Sequence, residues 1–285
     1  MLPPPSIRTS RTIGGRIGER VAGNAFAWVL GGLTTLGLIL LTLPILALTW
    51  RAFQARAAID DPRSREILQD ALRLSIGSSL LALGIIILFG TPIAYVLARA
   101  TFRGAKVVDA LIDLPIILPP AVAGIALLAA FGRRGVLGSW LDDLGITIGF
   151  TTTAVVIAQI FVSAAFYIRT ARAGFMRVDR TLEEAAADLG ASPVRTFFRI
   201  TLPLCRSSLV AGAILAWARA LGEFGATIMF AGNRQGVTQT MPLAIYERFG
   251  AGDLNAALVL SAVLLATSVV FLVLVRVLGE SNSSR

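Results

Sequence analysis

Arg219 and Glu223 stand four residues apart in the stretch ARALGEFGATIMFAGN, at the end of a long apolar run. On a continuous helix they share one face and can pair. A charge near mid-bilayer is costly unless it is paired or turned toward a cavity. Two uses fit. One is an internal ion pair that holds a helix against its neighbours. The other is a pair beside a passage, where Arg219 adds positive potential for an anion and Glu223 limits its trapping. Other chemistry-bearing residues are few. The chain has no histidine, which excludes Ser-His-Asp and Cys-His catalysis and any histidine-ligated metal. No catalytic residue and no metal site is expected. The single cysteine, Cys205, cannot form an intramolecular disulfide and reads as a small buried residue. The only lysine, Lys106 in RGAKVV, lacks the first glycine and the following hydroxyl of a phosphate-binding loop. If this chain moves a solute uphill on ATP, another polypeptide binds the nucleotide.

The elements that hold these residues are read from hydropathy. Of 285 residues, 55% are hydrophobic and 15% charged, against about 25% charged in soluble proteins. The mean hydropathy is +0.77, so the surrounding solvent is lipid. A net charge of +9 raises nucleic acid as a partner. The basic residues lie between apolar runs, however, where they orient a membrane protein, and aromatic residues are sparse. Residues 1–25 carry Arg8, Arg11, Arg16 and Arg20 and read as a flexible basic tail. Residues 26–50 are uncharged and long enough to span about 30 Å of hydrocarbon. Five further spans are expected over Leu74–Ala98, Leu114–Gly132, Leu144–Ile168, Ser207–Ala231 and Leu254–Val275, with a short tail over 277–285. Six spans put both termini on one side. The segments on that side hold 16 Lys and Arg against 9 on the other, which predicts cytoplasmic termini. The fold class is therefore all-α, integral to the membrane.

Within the spans, Pro119 and Pro120 remove backbone donors from the third. They mark either a packing kink or an opened backbone beside a cavity, with Gly124 close behind. Thr151, Thr152, Gln159 and Ser163 in the fourth span, and Thr227 in the fifth, either pack helices together or line a passage.

The most patterned segment is Asp179–Leu204, DRTLEEAAADLGASPVRTFFRITLPL, in the longest loop expected on the inner side. Thr181 and Glu184 fit a capping box, with Glu183 also in the first turn. Leu182, Ala185, Ala186 and Leu189 share one face of a short helix. Gly190 suits a left-handed terminator. Ser192 then caps a second helix with Pro193 at its first position, running toward Pro203. An isolated helix this short is not stable in water, so its apolar face needs a groove in a partner.

Glu184-Ala185-Ala186, three residues, Gly190, nine residues and Ile200-Thr201-Leu202-Pro203 resemble the EAA loop of binding-protein-dependent ABC importer permeases, matching at every named position. The resemblance extends over about residues 70–276, the type I permease core, with the first helix added in front. It implies that Glu184, Ala185, Ala186, Asp188 and Gly190, within the loop 179–204, dock into a cleft of a separate ATPase subunit. ATP and Mg would be bound by that partner, with no cofactor in this chain. The implied partners are a second copy of the chain, two ATPase subunits, an extracytoplasmic oxyanion-binding protein and membrane lipid. The location is the cytoplasmic (inner) membrane, multi-pass. ARALGEFGATIMFAGN with TQTMPLAIY is similar to permeases of molybdate and sulfate importers, and LPIILPPAVAGIALLAAFGRRG and GITIGFTTTAVVIAQIFVSA are closer to the molybdate branch. Molybdate and tungstate are nearly isosteric tetrahedral dianions and fit equally, and sulfate or thiosulfate is the alternative. Pro119, Pro120, Gly124, Thr151, Thr152, Gln159, Ser163, Arg219, Glu223 and Thr227 are the candidate passage residues. An ATP-independent transporter or channel would need no EAA-type loop. A membrane-embedded enzyme would need more intramembrane acid than Glu223 supplies.

Overall fold

The computed structural model describes the backbone of residues 13–100 and 103–281, and the side chains of 26–100 and 103–275. All the regular elements among the described residues are helices, with no strand among them. The chain divides into two units, Met1–Arg51 and Ala52–Arg285. The described residues of the first belong to one element, α1 (Ile13–Gln54), whose stretch Phe26–Gln54 is apolar enough to cross a membrane. Thr34, Thr35 and Thr42 donate their hydroxyls to the carbonyls of Leu30, Gly31 and Leu38 at 2.7–2.9 Å. That back-bonding satisfies these three hydroxyls in hydrocarbon. The basic stretch expected as a tail is helical from Ile13, and residues 1–12 lie outside the described residues. At the other end, the helix continues to Ser281, and 282–285 lie outside them.

In the second unit, α2 (Pro62–Arg99) starts where Asp61 accepts the Ser64 N–H at 3.0 Å and Pro62 takes the first turn. Its buried residues Ala71, Ser75, Ser79, Ala82, Ile86, Gly90 and Ala94 recur every three or four positions, so one stripe of small side chains faces inward. The stripe rests on α6 (Thr152–Arg177), which is buried along most of its length, and on α9 (Leu202–Leu221). Gly90 is required there, because a Cβ would come 2.9 Å from the Tyr167 ring. The Tyr167 hydroxyl in turn lies 2.7 Å from that of Thr91. Three apolar clusters result. Ile86, Tyr167, Phe175 and Cys205 join α2, α6 and α9. Ala123, Leu127, Val155, Ala158 and Phe230 join α4 (Pro120–Phe131), α6 and α10 (Gly225–Phe230). Ile67, Ala71, Met241 and Leu260 join α2, α11 (Met241–Gly250) and α12 (Leu254–Ser281).

Among the described residues, five helices are long and apolar enough to span, or six if one bent pair counts as a span. The bent pair is α3 (Ala105–Ile117) and α4, which turn by 118° at Leu118–Pro119. The third span expected over 114–132 is therefore interrupted at its double proline and forms two half-helices. The physical reason is Pro119–Pro120: neither donates an amide, and the residue before a proline avoids helical backbone. Asp109 and Asp113 on α3 pair with Arg172 and Arg169 on α6, pinning the first half-helix. A short helix, α5 (Gly138–Asp143), follows α4.

The fourth span starts later than expected. The stretch before Thr151 is not helical and includes Gly145 (φ 69°) and Phe150 (φ 60°), and Thr151 caps α6. The fifth starts earlier and breaks. After α7 (Arg180–Asp188), helix begins at α8 (Pro193–Thr196) and passes through one π turn, Phe197–Thr201, into α9. It then stops at Leu221 and resumes as α10. The π turn sits beside Pro203, which cannot donate to the carbonyl four residues back and would clash with it. Widening to an i→i+5 bond, from the Leu202 N–H to the Phe197 carbonyl, relieves that conflict.

Candidate coupling loop and broken-helix site

The loop expected to carry the mechanism forms two helices and a tight turn, as its residues predict. Asp179, not Thr181, is the N-cap of α7 and accepts the Thr181 N–H at 3.0 Å. That puts Glu184 past the third position of the helix, too deep for the capping box expected of it. Hydrogen bonds from the backbone and side chain of Thr181 hold the Asp179 carboxyl below its ordinary range. At the other end, Gly190 has φ 80°. Its N–H reaches the Ala187 carbonyl at 2.8 Å, and the Ala191 N–H reaches that of Ala186 at 2.9 Å. These two crossed bonds are the Schellman terminator. Ser192 accepts from the Arg195 N–H and Pro193 opens α8.

The faces of α7 divide its two glutamates. Glu183 turns inward: Arg99 Nη2 donates to its Oε1 at 2.8 Å and the Thr201 hydroxyl does so at 2.7 Å. Glu184, Ala185, Asp188 and Leu189 are exposed, Leu189 to 90%, while Ala186 is buried. The sequence reading gave Glu183 only a first-turn dipole role and missed Arg99 and Thr201. The signal available was the tandem Glu183-Glu184 itself, since consecutive helical residues point about 100° apart.

The second site is built from the two breaks. Half-helices α4 and α10 pack side by side at van der Waals limits. A Cβ on Gly124 would come 2.7 Å from the Ala226 carbonyl oxygen and from Met229 Cβ, and one on Gly225 would come 2.5 Å from Pro120 Cβ. The structure thus brings Pro120, Gly124, Glu223 and Thr227 together through this contact. Arg219 lies in the last turn of α9, where a cation suits the carbonyl end. Glu223 lies past the helix end, wholly buried, and its Oε1 accepts the Ala226 N–H at 2.8 Å at the start of α10. Its Oε2 is 3.0 Å from Arg219 Nη1, close enough for an ion pair but not aligned as a hydrogen bond. The Arg219 side chain keeps 33% of its exposure. The expected pair therefore forms, but across a helix break rather than along a continuous span.

Of the other passage candidates, Thr151 donates to the Ile148 carbonyl and caps α6. Thr152 donates to the Val237 carbonyl at 2.8 Å, tying α6 to the loop after α10. Gln159 and Ser163, one turn apart on α6, and Thr227 on α10 are buried, and Gln159 Oε1, Ser163 Oγ and Thr227 Oγ1 have no hydrogen-bond partner within the chain. Pro119, at the bend, is exposed. Among the described residues, no His, Cys, Asp and Glu grouping could hold a metal ion.

Comparison with known proteins fits this architecture. The chain is 44% identical over 237 residues to the molybdenum transport system permease protein ModB of Mycobacterium tuberculosis, covering 82% of this chain and 88% of that one. It is 35% identical to a probable sulfate transport system permease protein of Nephroselmis olivacea, covering 86% and 87%. Its fold superposes, with a TM-score of 0.73 at 15% identity, on a chain of a bacterial ABC transporter involved in the import of the acidic polysaccharide alginate, covering 93% of this chain and 99% of that one. Residues 90–282, most of the chain, match the family described as binding-protein-dependent transport system inner membrane component, and the chain belongs to that family.

Proposed function

We propose that this chain is the membrane-spanning subunit of an ATP-driven importer for a tetrahedral oxyanion, molybdate or tungstate. It works as a pair of copies with two ATPase subunits that bind ATP and Mg, and an extracytoplasmic binding protein delivers the anion. Both termini face the cytoplasm, so α7 does too. The observation that carries the coupling role is α7 itself. Its turn is locked by Gly190 and its inner face by Glu183, while Glu184, Ala185 and Leu189 stay exposed for a partner's cleft. The 44% identity to the molybdenum permease, against 35% to the sulfate one, favours molybdate.

The mechanism is a population shift between two states. Closing of the ATPase pair moves α7, which carries the helices anchored to it. The broken pair α4 and α10 is where the path opens. Partly exposed Arg219 adds positive potential suited to a dianion in transit. The unsatisfied atoms of Gln159, Ser163 and Thr227 support a path nearby, since leaving buried polar groups unpaired costs about 1–3 kcal/mol each. Selective capture belongs to the binding protein, so the path needs passage rather than tight binding.

The test is uptake by the reconstituted complex with its binding protein, in competition with molybdate, tungstate and sulfate. Molybdate and tungstate should block uptake of labelled molybdate at similar concentrations and sulfate should not. Block by sulfate at equal concentration would assign the sulfate reading instead. Uptake by this chain alone without ATP would refute the importer.

A further inference from the structure

We propose that Glu183 is a positioning residue that latches α7 to the membrane helices, so that movement of α7 is passed into α2 and α9 together. The inference rests on the importer reading above and adds a transmission element to it.

Three elements meet on one carboxylate oxygen. Arg99, the last residue of α2, reaches Glu183 Oε1 with Nη2 at 2.8 Å. Thr201, the last residue of the π turn and fully buried, reaches the same oxygen with its hydroxyl at 2.7 Å. Arg99 also donates from Nη1 and Nη2 to the Val178 carbonyl at 3.3 Å, at the corner between α6 and α7. Arg180 on α7 donates to the Arg99 carbonyl at 3.2 Å. The ends of α2 and α6, the start of α7 and the entry of α9 are therefore joined in one polar knot.

The knot is shielded. The Arg99 and Glu183 side chains are 13% and 18% exposed. An ion pair so placed is little screened, and losing one partner strands the other charge. Beyond the knot, α7 packs weakly: Ala186 is its single buried residue. Without Glu183, only the Arg180 hydrogen bond to the Arg99 carbonyl and the contact of Ala186 would tie α7 to the spans. The π turn adds a second reason. It is a widened segment of the kind at which helices bend, and Thr201 closes it directly against Glu183. Glu183 thus holds the flexible point of the α8–α9 helix to the lever rather than leaving it free to absorb the motion.

Glu183→Gln and Thr201→Val test this in the complex of two permease copies with ATPase subunits, reconstituted with binding protein, reading molybdate imported per ATP hydrolysed. The exposed face of α7 is unchanged, so the ATPase subunits should still co-purify and hydrolyse ATP. Imported anion per ATP should fall about tenfold in Glu183→Gln, equivalent to 1.4 kcal/mol of coupling, and less in Thr201→Val. Arg99→Gln combined with Glu183→Gln removes both charges and should restore complex yield but not the import ratio. Unchanged import per ATP in the folded single variants would overturn the latch, and so would a ratio that recovers with yield in the double variant. If the unaltered complex shows no ATP-driven uptake, the importer reading fails first, and that result needs no variant.

Discussion

Replacing Gly124 by alanine tests whether α4 and α10 are held at van der Waals limits. The new methyl would meet the Ala226 carbonyl oxygen and Met229 Cβ at 2.7 Å and Ala226 Cα at 3.0 Å. Two of these three are backbone atoms, which no rotamer change can move, so α10 as a whole must shift. Overpacking of this kind costs about 1–3 kcal/mol. Alanine regains about 0.8–1 kcal/mol of helix propensity over glycine. The difference is a net loss of up to about 2 kcal/mol. Gly84 on α2 is the internal control, because a Cβ there meets nothing within 4 Å. Gly84→Ala should keep only the helix gain and raise stability by about 0.5–1 kcal/mol. For chains of this size about 1 kcal/mol moves Tm by about 2–4 °C. Thermal unfolding of the full chain in detergent should thus separate the two variants, Gly124→Ala melting lower and Gly84→Ala higher than the parent. A Gly124→Ala chain as stable as Gly84→Ala would refute the close contact, and with it the joining of the two broken helices.

Gly190→Ala should cost roughly 1–2 kcal/mol from backbone alone, because φ is 80° and a Cβ meets no atom of this chain. Gly190→Asn should cost less, and the comparison is read as amide exchange across residues 185–191. Arg219→Ala should lower the folded level in membranes, because it strands the charge of the buried Glu223. Adding Glu223→Gln, which keeps an acceptor for the Ala226 N–H, should recover that level. Recovered level with transport still absent would assign Arg219 to the path and not only to the pair.

Local chemistry made part of this structure legible. Gly190, Ser192 and Pro193 form the turn and cap that their residue types suggest, because each acts on backbone within a few positions of itself. The double proline marked the third span as interrupted for the same reason. Its 118° turn was not legible, since the angle is set by what α4 packs against. The break after Leu221 was hidden. Gly222 and Gly225 read as glycines for close helix approach, and Gly225 does serve that role against Pro120. Nothing in the residues alone says that a carboxylate at 223 will start a new helix. Asp179 and Thr181 were both competent caps, and the choice between them moved Glu184 out of a cap and onto the exposed face. Which of two adjacent glutamates turns inward depends on Arg99, 84 residues away.

The single π turn at Phe197–Thr201 has one more consequence. Compared with an α-helix it holds one extra residue, so everything after it is rotated by about 100° relative to the turns before it. The α8–α9 rod is therefore two helices out of phase on one axis. Upstream, its azimuth is set by the loop it leaves; downstream, by the groove of α6. Deleting the exposed Phe198 would bring the two into phase and turn Thr201 by about 100° relative to α8, away from the lever.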